Sequence, residues 1–123
     1  MTDETWLLRQ VHPAFIQADR VTSQVFRPTP KDQQLLSVYD GELITPEAAY
    51  HHFISRPDCK SAGVLAVTCD ECADQHLPVR PDPEPFPEHV VIDFTGLSNN
   101  QCEKKGKRLC AMAIQRGWLY YSG

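Results

Sequence analysis

Residues 62–72 read AGVLAVTCDEC, and this stretch decides the fold class. Its first seven residues are almost wholly apolar, valine-rich and too few for a core helix, so they predict a strand buried on both faces. Thr68, with Glu71 three residues later, forms a capping box. A short helix is therefore expected to open where the strand stops and to run to residue 75 or 76. A strand feeding directly into a capped helix is a building block of domains that pack helices on sheets.

The same alternation extends outward. Downstream, PVRPDPEPFP (78–87) holds five of the ten prolines. Proline donates no ladder hydrogen bond, so this is expected to be an extended surface segment rather than a central strand. HVVIDF (89–94) reads as a second good strand. Ser98 and Gln101 make another capping box, opening the longest helix, about 99–116, with Cys102, Leu109, Cys110, Ala113 and Ile114 as its apolar stripe. Gly117 stops it, and WLYY (118–121) is expected to pair beside 89–94. Upstream, Thr45, Pro46 and Glu47 mark a helix start, with the helix ending before Pro57. LLSVY (35–39), closed by Asp40-Gly41, is a short strand. RVTSQVF (20–26) is β-prone, and 27–30 (RPTP) is an extended connection. WLLRQV (6–11) fits a strand or a turn or two of helix, broken by His12-Pro13. The expectation is one α+β domain over residues 1–123, a mixed β-sheet with two or three helices, with 78–87 as a proline-rich surface segment.

The chain has 123 residues, 41% hydrophobic and 23% charged, which suits one domain with a real core. Its longest apolar run, 64–67, is far too short to cross a bilayer. Residues 1–20 lack a basic region followed by an apolar one, so no secretory leader is expected. The formal charge of −4 disfavours a dedicated nucleic-acid binder. Five cysteines and no export signal argue against a disulfide framework and for the cytoplasm.

Four constellations are candidates for chemistry. Cys69, Cys72 and His76 fall at i, i+3 and i+7 of the short helix. A structural zinc wants four ligands and no second pair exists, while Asp70 and Glu71 disfavour a redox thiolate. No metal and no cofactor are expected. The block Arg20, Ser23, Gln24, Arg27, Lys31 and Asp32 offers cations and a hydroxyl suited to phosphate or carboxylate. Among five histidines, His52 shares a helix side with Ala49 and Phe53, and His89 opens a strand at a sheet end; either is a candidate acid or base. Finally, the segment between Ser98 and Gly117 carries +4, leaving −8 on the remainder. Lys104, Lys105, Lys107 and Arg108 dominate that basic side and would steer an acidic partner. Glycine-rich phosphate loops, nucleophile elbows and zinc-helix motifs are all missing.

RVTSQVFRPTPKDQQLLSVYDG (20–41), GVLAVTCDEC (63–72) and DPEPFPEHVVIDF (82–94) follow one another in an order that resembles a group of small, functionally uncharacterised bacterial proteins. The resemblance covers most of the chain and implies no activity and no residue role. By analogy, size and character suit small proteins of mobile elements and phage–host conflict. The leading expectation is a cytoplasmic protein that binds a macromolecular partner, most readily an acidic protein surface, with nucleic acid disfavoured and no membrane. The alternative is a small enzyme acting on a nucleotide or other phosphorylated substrate, with Ser23, Arg27, His52 and His89 as its site.

Overall fold

The computed structural model describes residues 1–29 and 33–123. In chain order the elements are β1 (Trp6–Val11), a 3-10 stretch at Pro13–Phe15, β2 (Ile16–Gln17), β3 (Arg20–Val21), the 3-10 turn proper (Ser23–Phe26), β4 (Leu35–Asp40), α1 (Pro46–Ile54), β5 (Gly63–Thr68), α2 (Cys69–Asp74), β6 (Val79–Pro81), β7 (His89–Asp93), α3 (Asn99–Arg116) and β8 (Tyr120–Tyr121). Six strands form one curled sheet in the order β6-β7-β4-β1-β5-β8, and three helices complete a single α+β domain. Among the described residues, no helix is long and apolar enough to cross a membrane.

Every pairing is antiparallel, where the sequence reading set a mixed sheet. The reason lies in strand order. β4 and β5, joined through α1, do point the same way, but β1 inserts between them and pairs antiparallel with both. β8 is likewise corrected: it pairs with β5, through Gly63↔Tyr121 and Val64↔Tyr120, and not with β7. A Cβ on Gly63 would meet the Tyr120 carbonyl oxygen at 2.4 Å, so that edge closes only over a glycine. The 20–26 stretch makes a two-residue strand and a 3-10 turn instead of one strand. Ala18 and Asp19 both take positive φ (50° and 62°), turning a tight hairpin between β2 and β3 that has no glycine to announce it.

Period-two alternation sorts the strands onto two faces. Leu7, Val11, Leu36, Val38, Leu65, Val67, Val90 and Ile92 point to the face covered by α3, α2 and the 3-10 turn, whose Phe26 and Val25 are fully buried. Gly106 lets α3 press on that turn, where a Cβ would stand 2.7 Å from Arg27 Cγ and 3.0 Å from the Phe26 carbonyl oxygen. Leu8, Tyr39, Val64 and Ala66 point the other way, under Ala49 and Tyr50 of α1. The three expected helix starts are present: Thr45 accepts from the Ala48 N–H, and Thr68–Glu71 and Ser98–Gln101 are complete capping boxes.

The sheet forks between β1 and β4. Leu7↔Asp40 and Leu8↔Tyr39 are paired, and the ladder stops there. Arg9 fills part of the gap, donating from Nε to the Val25 carbonyl (2.7 Å) and from NH1 to the Ser37 carbonyl (3.0 Å). Such charge-assisted bonds are each worth about 1.5–3 kcal/mol. Carried two residues further, the register would set Gln10 opposite Ser37.

Candidate active site

At the fork, on the α1 face, lies a cavity of about 340 Å³, within the usual range for small-molecule sites. Gln10 comes from β1, Ser37 and Tyr39 from β4, and His89 from β7. Phe53 and Arg56 come from the end of α1 and the residues after it, and Phe86 from the proline-rich segment.

Ser37 is exposed on β4, on the strand side opposite buried Leu36 and Val38. Its Oγ is 3.0 Å from Nε2 of His89, which is only 8% exposed. His89 is opposite Tyr39 in the β4–β7 ladder and Ser37 is opposite Val91, so Ser37 and His89 are diagonal neighbours on one face. The other ring nitrogen, Nδ1, lies 2.9 Å from the Asp82 carbonyl oxygen and 3.3 Å from its carboxylate. Both are acceptors, so Nδ1 carries the hydrogen of the neutral ring and Nε2 turns its lone pair to the Ser37 hydroxyl. A hydroxyl, an oriented imidazole and an acidic residue thus stand in line at a cavity wall.

Around this line the site is aromatic and cationic. Phe86 stacks on Tyr39 (4.9 Å between centroids) and touches the His52 and His89 rings (4.7 and 5.1 Å). Burial pushes the Tyr39 hydroxyl up to about 12, against the lowering pull of Arg56 beside it. It therefore stays protonated, and it shares a hydrogen bond of 2.7 Å with His52 Nδ1. The Arg56 guanidinium also lies 5.6 Å over the Phe53 ring and forms no ion pair among the described residues. Gln10 is 7% exposed, and neither its carboxamide oxygen nor its nitrogen finds a partner among the described residues. A buried, unpartnered amide in a cavity wall calls for a partner from outside the fold.

Of the four enzyme candidates named from sequence, only His89 lines this cavity. His52 is exposed and outside the cavity lining, bonded to Tyr39. Ser23 opens the 3-10 turn and Arg27 directly follows it, on the opposite sheet face under α3, so the expected convergence with the two histidines does not occur. Lys31 and Asp32 of that block lie outside the described residues. The 78–87 segment is more than surface, since Pro85 and Phe86 wall the cavity and Asp82 orients His89.

The basic side of α3 is largely engaged within the chain. Lys105 Nζ donates to the Gln75 carbonyl and Arg108 to its side chain (3.1 Å), closing the C-terminal end of α2. Lys107 pairs with Glu103 (3.2 Å), while Arg116 bonds Glu71 (2.9 Å) and the Ala66 carbonyl (2.8 Å). Lys104 stands exposed. The expected single helical face of Cys69, Cys72 and His76 does not form. α2 ends at Asp74 and His76 takes a φ of 58°, outside it. Cys72 is fully buried, which raises its thiol to about 12.

Ser37, Asp82, Gln10, Tyr39 and Arg56 were not singled out from sequence. For Gln10 a signal existed, because in WLLRQV it shares a strand face with Leu8 and puts an amide where an apolar residue is expected. Comparison with protein-family models, curated proteins and solved structures finds no match.

Proposed function

We propose that this chain is a small enzyme of acyl transfer, a hydrolase of small esters or amides, with Ser37 as nucleophile and His89 as general base. One observation carries the reading: an exposed serine hydroxyl bonded to the free nitrogen of a buried, Asp82-oriented histidine at the wall of a cavity. In the reaction Ser37 Oγ bonds to the carbonyl carbon while its proton passes to His89 Nε2. The bond to the leaving group then breaks, and His89 returns the proton to that group. Water, deprotonated by the same imidazole, releases the acid and restores Ser37. The Gln10 N–H, buried and without a partner among the described residues, is suited to bond the oxygen on which charge develops.

The partner-binding reading on Lys104, Lys105, Lys107 and Arg108 has less support, because three of these four side chains already hold groups of this chain. The test is hydrolysis of p-nitrophenyl esters and anilides of short acids. Ser37→Ala and His89→Gln are expected to lower the rate about 100-fold or more, and Ser23→Ala to leave it unchanged. Equal rates in wild type and Ser37→Ala would overturn the proposal.

A further inference from the structure

The cavity wall specifies more than a nucleophile. Gln10 presents a donor and an acceptor side by side, both buried and both without a partner among the described residues. A side-chain amide bonds two groups at once only when the ligand offers an acceptor and a donor on the same edge. A trans secondary amide does not, since its C=O and N–H point in opposite directions. A lactam, a cyclic imide or a primary carboxamide does. The terminal torsion of glutamine is broad, so the amide turns to meet such an edge at little cost. At the rim, the exposed Arg56 supplies a cation that forms no ion pair among the described residues. A guanidinium matches a carboxylate in planar, two-point fashion. Between them Phe53 and Phe86 offer aromatic surface to a flat ring.

We propose that the cavity takes a small anionic molecule with a cis-amide edge, the amide held by Gln10 and the anion by Arg56. This rests on the acyl-transfer reading for its chemistry, because the carbonyl bonded by the Gln10 N–H is then the one that Ser37 attacks. For a lactam, Ser37 Oγ adds to the ring carbonyl, the ring C–N bond breaks, and the nitrogen takes its proton from His89. Water then frees the open-chain amino acid.

The experiment measures binding to Ser37→Ala, by calorimetry or by chemical-shift changes, with pyroglutamate as probe. Proline lacks the amide, N-acetylglycine has a trans amide and 2-pyrrolidinone lacks the charge. Pyroglutamate is expected to bind about tenfold or more tighter than each, the worth of one good buried or charged hydrogen bond. Adding Gln10→Met or Arg56→Met to Ser37→Ala is expected to remove that margin. Gln10→Glu keeps the acceptor and controls for packing; it is expected to bind weakly as well. Pyroglutamate binding no better than proline or N-acetylglycine, or binding unmoved by Gln10→Met, overturns the inference. Covalent labelling of Ser37 without any preference for pyroglutamate would sink the cis-amide edge alone. A pyroglutamate preference without Ser37 reactivity would sink the acyl-transfer reading and leave the binding site standing.

Discussion

Ser37 Oγ and His89 Nε2 stand 3.0 Å apart although 52 residues separate them in the chain. Antiparallel pairing of β4 with β7 makes them diagonal neighbours, and the fork between β1 and β4 leaves the serine open to solvent. Two different groups of Asp82 hold the imidazole, its carbonyl at 2.9 Å and its carboxylate at 3.3 Å. The carbonyl survives substitution of the side chain. Asp82→Asn is therefore expected to lower kcat by about tenfold or less, whereas His89→Gln lowers it about 100-fold or more. Steady-state kinetics on one activated ester separates the two. Equal losses would mean that the carboxylate, and not the carbonyl, sets the ring.

Gln10 carries a stability cost that function would explain. A buried polar group left unbonded costs about 1–3 kcal/mol. Met is close in shape and has nothing to satisfy, so Gln10→Met is expected to raise the unfolding free energy by about 1 kcal/mol or more while abolishing turnover. Denaturant midpoints with an unchanged m-value would establish the gain. A destabilised Gln10→Met would show that the amide has a partner in solution.

The helices were legible because their ends are chemical. Thr45-Pro46, Thr68–Glu71 and Ser98–Gln101 are local signals, and each is where the chain turns helical. Strand existence was legible from apolar runs, but strand order was not. Nothing local says that β1 inserts between β4 and β5, or that β8 seeks β5. The site failed for the same reason. Ser37 is an ordinary serine in LLSVYD until β7 brings His89 beside it. Arg27 and Arg56 are equally cationic in sequence, and only the sheet's two faces separate them. Gln10 did leave a local trace, an amide that breaks the apolar pattern of its strand face, although it was not singled out.

Gly106 sits inside α3, where alanine normally adds about 1 kcal/mol of helix stability. Here its absent Cβ is the space that the Phe26 carbonyl and the Arg27 side chain occupy. Gly106→Ala is therefore expected to destabilise the fold, lowering the melting temperature by several degrees. A rise in melting temperature would mean that α3 and the 3-10 turn separate more easily than their packing implies.

Two carboxylates tie the periphery together and titrate below their ordinary range. The Arg80 hydrogen bond, with Thr95 assisting, holds Asp93 at about 2. Burial alone would raise Glu71, but Arg116 and the Thr68 N–H outweigh it and lower it. A carboxyl lowered in the folded state contributes stability above its unfolded value and loses it as pH falls through the folded one. The stability gap between wild type and Asp93→Asn is expected to be constant above about pH 5 and to close between about pH 4 and 2. It should be small, since Arg80 is half exposed and screened. Urea melts across that range measure it; a gap that widens on acidification contradicts the pairing.

The central claim is that Ser37 is a nucleophile activated by His89. Its most direct measurement is covalent capture, in which intact protein is incubated with a fluorophosphonate, weighed by mass spectrometry and mapped by peptide digestion. The account predicts one adduct, on Ser37, absent in Ser37→Ala and slowed about 100-fold or more in His89→Gln. An unmodified protein, or labelling spread over exposed serines and tyrosines at rates indifferent to His89, would contradict it.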